Sequence, residues 1–146
     1  MGAVAPPTRV YPFKTGADGK QGIPVVQDEL YTATFTIGTE ADNVINVAIQ
    51  LLDGAGNEMA QRSGIMAYLS DDANGDSITG TGPSSESAIG TDGVLGILLA
   101  KKIYFLVSES DGDIDIDITE TGDTTWYLVL VMPDGHLVVS DAIDFD

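Results

Sequence analysis

Cysteine is absent from the 146 residues, and histidine occurs once. No disulfide framework, thiolate nucleophile or cysteine zinc site can be built, and most histidine-based metal or catalytic constellations go with them. Bases are scarce as well: six Lys and Arg face 23 Asp and Glu, for a net charge of −17. That surplus repels nucleic acid phosphates and anionic lipid surfaces alike, so neither nucleic acid nor a membrane is expected as a partner. The longest apolar runs, Gly93 to Ala100 and Trp126 to Met132, fall far short of the roughly 20 residues of a membrane helix. The opening MGAVAPPTR lacks the apolar core of a signal peptide, so no export address is expected. What is present, 43% hydrophobic residues over this length, suffices for one well-buried domain and is too little for two.

The first 30 residues differ from the rest. They hold four of the six prolines, in Pro6-Pro7, Tyr11-Pro12 and Ile23-Pro24, and show neither a helical nor a strand period. We read residues 1–30 as an extended N-terminal arm and residues 31–146 as one domain. Charge divides at the same place: Arg9, Lys14 and Lys20 balance Asp18, Asp28 and Glu29, which leaves 20 acids against Arg62, Lys101 and Lys102 on the body. The arm also carries Val10, Tyr11, Phe13, Ile23, Val25 and Val26, apolar groups that cannot pack alone and need either the body or another chain. Another chain is the expectation favoured here.

From Tyr31 the period becomes two. Tyr31, Ala33, Phe35 and Ile37 point one way and three threonines the other, and the same alternation recurs from Ile45 to Leu51 before the turn-forming Asp53-Gly54-Ala55-Gly56-Asn57. Further strands are expected at 65–70, 94–100, 103–108, 113–119 and 125–132, with Pro133-Asp134-Gly135 turning into 137–140 as a hairpin. Residues 71–87 have almost no large apolar side chain and read as a long solvent loop. Seven or eight short strands and no helical stretch describe an all-β fold, an immunoglobulin-like β-sandwich. Its core, without the disulfide of antibody domains, is expected around Phe35, Val47, Ile49, Phe105, Trp126, Leu128 and Leu130.

Three constellations invite a chemical reading. Asp113, Asp115 and Asp117 alternate with Ile114, Ile116 and Ile118, which sets three carboxylates in one row on a strand. Same-face neighbours are roughly 7 Å apart, and nothing apolar in the sequence surrounds the acids to raise a pKa, so a solvated outer face is the expectation rather than an acid and base pair. Asp72, Asn74 and Asp76 have the first ligand spacings of a calcium loop, but Ser77 replaces the glycine and Pro83 the closing glutamate. These residues are then plain turn formers. His136 lies close in sequence to Ser140 and Asp141, yet one hairpin rarely makes a triad converge, and no nucleophile elbow, Walker loop or dinucleotide fingerprint occurs. No enzyme activity, cofactor or metal is expected.

The segment Gly16 to Pro24 reads as three Gly-X-Y triplets. Three are too few to hold a triple helix and fit a flexible glycine-rich arm, though a short matching of three arms would suit a trimer of the chain with itself. Taken with the segments RVYPFKTGADGKQGIPVVQDELYTATFTIGTEADNVINVAIQL, AYLSDDANGDSI, AIGTDG, SESDGDIDIDITETG and WYLVLVMPDGHLVVSDAI, the chain resembles the small virion proteins of tailed bacteriophages, over about Arg9 to Ile143. The resemblance implies a capsid decoration or cement protein on the outer capsid surface, assembled in the host cytoplasm, whose partner is the major capsid protein. It supplies no functional residues of its own. The residues that suit such a partner are read from the arm: Val10, Tyr11, Phe13, Ile23, Val25 and Val26 as apolar anchors, and Arg9 and Lys14 as cations, with Lys20 beside them. A tail- or fibre-associated domain, favoured by the triplets, and a glycan-binding module are the alternatives. For the latter, Trp126 is the best stacking residue among only ten aromatics, but it opens a strongly apolar strand and reads as core.

Overall fold

The computed structural model describes residues 29–146. They form ten strands, with no helix among the described residues: β1 (Leu30–Ile37), β2 (Val44–Asp53), β3 (Gly64–Ser70), β4 (Ala88–Ile89), β5 (Val94–Leu99), β6 (Ile103–Val107), β7 (Asp113–Thr119), β8 (Thr124–Val131), β9 (Leu137–Val139) and β10 (Ile143–Phe145). All pairings are antiparallel. One sheet has the order β1-β2-β7-β4, and the other runs β10-β8-β3-β6-β5, with β9 also paired to β8. These are the positions A-B-E-D and G-F-C-C′-C″ of an immunoglobulin-like sandwich. The chain reaches them in a different order, because β4 is laid down before the β5–β6 hairpin rather than after it, and within that hairpin the edge strand β5 precedes β6.

Alternation explains why each strand buries the face it does. In β7 the isoleucines at 114, 116 and 118 are fully buried and the aspartates between them half-buried on the outside. In β2, Ile45, Val47, Ile49 and Leu51 point inward. Across the sandwich they meet Ala67 and Leu69 of β3, Tyr104 and Leu106 of β6, and Trp126, Leu128 and Leu130 of β8 in one core cluster. Trp126 packs edge-on against Phe145, with ring centroids 6.0 Å apart, and its indole N–H donates to Thr79 Oγ1 at 3.3 Å.

Turn chemistry is local. Asp42 and Asn43 take φ of 53° and 68°, the two positive values a type I′ hairpin turn requires. The Asp53 carboxylate accepts the N–H groups of Ala55 and Asn57, each at 2.9 Å, so the side chain does for this turn what a backbone carbonyl would otherwise do.

Three expectations are corrected. Phe105 is not core: Tyr104 and Leu106 point inward, and Phe105 lies on the outer face with its ring over Gly64, where an added Cβ would stand 2.5 Å from the ring carbon Cζ. The run Ile-Tyr-Phe-Leu-Val is apolar at both phases, so its period alone cannot choose the buried one. Phe35 is only half-buried, because β1 is an edge strand. The segment 71–87 is not a bare solvent loop: Gly75, Thr79, Pro83 and Ser87 are buried. It folds onto the outer face of the larger sheet, where Tyr68 donates its hydroxyl to the Gly75 carbonyl at 2.5 Å. Small residues allow this close approach where large apolar ones would not. Val129, on that outer face, is thereby fully buried.

Gly75 and Gly56 both have positive φ, +72° and +84°. A Cβ on Gly56 would meet nothing within 4 Å, whereas one on Gly75 would stand 2.8 Å from Val129 and 3.1 Å from Val139. Urea unfolding should therefore show Gly56→Ala losing about 1 kcal/mol, the conformational cost alone, and Gly75→Ala losing about 1–3 kcal/mol more through overpacking.

Candidate functional site

The arm residues Arg9, Val10, Tyr11, Phe13, Lys14, Ile23, Val25 and Val26 lie outside the described residues, as do the three Gly-X-Y triplets. The site candidates within 29–146 are the acid row, the 71–87 loop, the His136 turn and the edge of the larger sheet.

In the acid row, β2 holds the acids rather than leaving them free. Asn46 Nδ2 donates to Asp115 Oδ2 at 3.1 Å and to Asp117 Oδ1 at 2.7 Å. Asp115 Oδ1 also accepts the N–H groups of Thr91 and Asp92, each at 2.7 Å. Burial works to raise the Asp115 pKa, but the N–H groups of Asp92 and Thr91 and the Asn46 amide together outweigh it and hold the carboxyl below its usual range. Asp113 moves the other way, raised by burial first and then by Asp92, Asp111 and Asp115. The row is thus a clasp that ties the 90–92 segment to the outer face of β7. Among the described residues, no three His, Asp or Glu side chains converge as a metal site.

The loop's carboxylates are likewise occupied from within. Asp71 accepts the Thr79 hydroxyl at 2.8 Å and the Gly80 N–H at 3.3 Å. Asp72 Oδ2 accepts the Ser77 hydroxyl at 2.9 Å, and the Asn74 amide turns its nitrogen, not its oxygen, toward Asp76 at 3.1 Å. A calcium loop needs those oxygens aimed at one point. At the turn after β8, the His136 ring nitrogen bonds Asp134, and the ring packs against Tyr31 with centroids 4.8 Å apart. Ser140 is buried, its hydroxyl donating to the Asp141 carbonyl at 2.7 Å and accepting the Leu128 N–H at 2.9 Å. It serves the backbone of β8 and not a nucleophilic role.

The remaining candidate is one that the sequence reading passed over. Val94, Leu95, Gly96, Ile97, Leu98 and Leu99 form a continuous apolar run, the pattern of a strand buried on both faces. The structure places them instead on β5, the free edge of the larger sheet. Only Leu95 packs against the core. Val94, Ile97, Leu98 and Leu99 are 48–58% exposed; Val94 and Leu99, opposite Val107 and Ile103, share the outer face with Phe105 and Met66, each 44% exposed and cross-strand partners of one another, whereas Ile97, opposite Tyr104, is on the inward-facing side. Exposed apolar residues gathered along one edge in this way are the usual mark of an interaction site. Its signal was the absence of alternation, which reads as depth but also fits an edge meant to be covered.

The hairpin that carries this surface is held firmly. Glu86 accepts the Lys101 N–H through both carboxylate oxygens, at 2.9 and 3.0 Å, and the Tyr104 hydroxyl at 3.0 Å. Burial first, and then the Glu86 carboxylate, raise the Tyr104 pKa above its ordinary value, so this phenol stays a donor. Lys101, with φ of 65°, occupies a turn position that glycine would fill with less strain.

No family model matches the chain, and neither does a curated protein. Among solved structures the chain is similar to a cohesin module from a family 33 glycoside hydrolase of Clostridium perfringens ATCC13124, at 10% identity over 80% of this chain and 94% of that one, with a TM-score of 0.40. Likeness at that level carries no functional argument. The class defined by the strand order is an all-β, immunoglobulin-like sandwich.

Two expectations follow for the row and the loop. A carboxylate with a lowered folded pKa contributes stability that is present above its unfolded value of about 4 and is lost as pH falls through the folded value. A raised pKa has the opposite sign. At pH 7, Asp115→Asn should therefore cost about 1–3 kcal/mol through lost charge-assisted hydrogen bonds, while Asp113→Asn should stabilise; the loss from Asp115→Asn should shrink below pH 4. Chemical denaturation across pH checks both signs. Calcium should leave the wild-type melting temperature unchanged, as read by calorimetry.

Proposed function

We propose that the chain is a non-enzymatic structural protein of a virus particle, one that decorates and stabilises the capsid. In this reading its N-terminal arm anchors on the major capsid protein, and the acidic sandwich faces outward. The observation that carries it is the division of chemistry along the chain. The arm is neutral and holds half the cations together with Val10, Tyr11, Phe13, Ile23, Val25 and Val26, while the entire −17 belongs to residues 31–146. The resemblance to small virion proteins supports the same reading.

The sandwich suits the outward role. Its core cluster is assembled from both sheets within residues 29–146, and acids sit on its outer surfaces in the β7 row and in the 71–76 turn, though Asp53 and Glu120 are buried. A surface of one sign stays soluble and repels copies from non-specific association. It also disfavours nucleic acid and anionic membranes as partners. An arm, for its part, gains contact by laying apolar side chains into grooves and adding main-chain hydrogen bonds to a sheet edge, with Arg9, Lys14 and Lys20 against acidic groups. Catalysis has no support: the Ser140 hydroxyl close in sequence to His136 is engaged by the Leu128 N–H and the Asp141 carbonyl, while the His136 ring bonds Asp134. A glycan-binding role loses its best stacking residue, since Trp126 is 1% exposed.

Co-sedimentation of the purified chain with capsids prepared without it tests the proposal. Saturable pelleting at a fixed ratio to capsid protein is expected, with Tyr11→Ala/Phe13→Ala weakening it at least ~10-fold, the equivalent of about 1.4 kcal/mol. A chain that remains in the supernatant beside intact heads overturns the capsid role. Labelling of whole particles then decides for or against the tail.

A further inference from the structure

Of the four asparagines of the chain, Asn74 alone is followed by glycine. That pairing matters chemically: a main-chain nitrogen with no neighbouring side chain to obstruct it can close on the asparagine side-chain carbonyl, and asparagine counts among the thermolabile residues. The Gly75 N–H donates to the Asp72 carbonyl at 2.9 Å, and neither Ala73 nor Asn74 has a positive φ. Residues 72–75 therefore form a type I turn, with ψ of about 0° at Asn74. At that ψ the Gly75 nitrogen lies beside the Asn74 main-chain nitrogen and away from its side chain. The closed turn holds the two reacting atoms apart.

What keeps the turn closed is the seat of Gly75. The residue is buried, with φ of +72° and the Val129 side chain so near that an added Cβ would stand 2.8 Å from it. Its carbonyl accepts the Tyr68 hydroxyl at 2.5 Å. Asn74 itself is exposed, and its Nδ2 donates to Asp76 Oδ2 at 3.1 Å. Rotating the Gly75 nitrogen toward the Asn74 side chain breaks the bond to Asp72 and lifts Gly75 off Val129. The other three asparagines precede valine or glutamate. Asp–Gly steps such as those at 92–93 and 111–112 can close the same ring only at a carboxylate, a poorer electrophile, and with no change in mass once water reopens it.

We propose that Asn74 is a site of spontaneous deamidation gated by the seat of Gly75: the reaction proceeds only when the 71–76 turn lifts off the sheet, and its isoaspartate product keeps the turn from closing again. In the opened turn the Gly75 nitrogen loses its proton and bonds to the Asn74 Cγ. The Cγ–Nδ2 bond breaks, and the amide group takes up a proton and leaves as ammonia, which leaves a succinimide. Water then opens the ring at either carbonyl, giving aspartate or, with one more carbon in the main chain, isoaspartate. Either product sets a carboxylate beside Asp76, where the amide now donates, and the like charges repel. Isoaspartate also lengthens the turn, so Gly75 cannot regain a seat without room for even a Cβ. Val129, fully buried beneath it, then joins the exposed outer face of Met66 and Phe105. The reaction is independent of capsid attachment.

Tryptic mapping of the full chain, aged at mildly alkaline pH both natively and in guanidinium chloride, tests it. Residues 63–101 form one tryptic peptide with Asn74 as its sole side-chain amide, so a gain of one mass unit there reports this site alone. The native rate is expected to lie at least ~10-fold below the denatured one, because reaction follows local opening. Tyr68→Phe removes the bond to the Gly75 carbonyl and should speed the native reaction roughly 2- to 10-fold while leaving the denatured rate unchanged. Asn74→Gln should abolish the gain, and the isoaspartate form should melt below the Asn74→Asp variant, whose main chain has its normal length. Equal native and denatured rates, a Tyr68→Phe rate no faster than wild type, an earlier gain at another asparagine, or no native conversion over ~100-fold the time that converts the denatured chain overturns the proposal.

Discussion

Everything in the sandwich depends on two inward faces burying one another without a covalent tie between the sheets. The B–F disulfide that spans antibody domains has no counterpart in a chain without cysteine, so the distance between sheets is set by side-chain volume alone. Ile114, Ile116 and Ile118 from one side and Leu128, Leu130 and Trp126 from the other supply that volume. β-branched and γ-branched side chains on facing strands interdigitate at the density of a crystal. The rest of the structure is arranged to keep this contact dry. Phe145 closes over Trp126, and the Thr79 hydroxyl satisfies the indole N–H, which would otherwise be a buried donor without a partner.

Long polar segments serve the same end, which explains why so much hydrogen bonding is invested outside the strands. The 71–87 segment has little hydrophobic area of its own. It is fixed instead by carboxylates acting on neighbouring backbone and hydroxyl groups: Asp71 on Thr79 and Gly80, Asp72 on Ser77, Glu86 on Lys101 and Tyr104. Asp115 does this for the 90–92 segment. A good part of the acidity is therefore structural, each carboxylate replacing a turn or a cap that apolar side chains would otherwise have to hold in place.

How far the sequence could be read follows from this division of labour. Strands whose two faces differ, such as β2 and β7, show their period and their buried phase directly, and the chain positions of β1, β3 and β8 were equally plain. Where apolar residues occupy both phases, as in β5 and β6, the period says strand but not which side or which edge, and Phe105 was misplaced for that reason. β4 and β10, two and three residues long, are too short for any period. β10 nonetheless contributes Ile143 and Phe145 to the core. The fold of 71–87 was hidden because hydrogen bonds from Asp and Glu to distant backbone leave no periodic trace. The apolar edge of β5 was visible as a run and invisible as a surface.

The order in which the strands are connected bears on how the chain comes to be folded. β2 finds its partner β7 across almost seventy residues, as the Asn46–Asp115 bond spans 69, and β3 pairs with β8 over a similar stretch, Met66 with Val131. By contrast, the β5–β6 hairpin closes over the three residues between Leu99 and Ile103. Loop-closure entropy delays the distant pairings, so such topologies fold in milliseconds to seconds while hairpins form in microseconds. The most apolar edge of the molecule is thus built early, well before the sheet it belongs to has β3 and β8 in place. During synthesis and refolding, the exposed strand that competes for stray partners is β5, and the dense negative charge of the surrounding chain is what keeps the half-folded molecules apart.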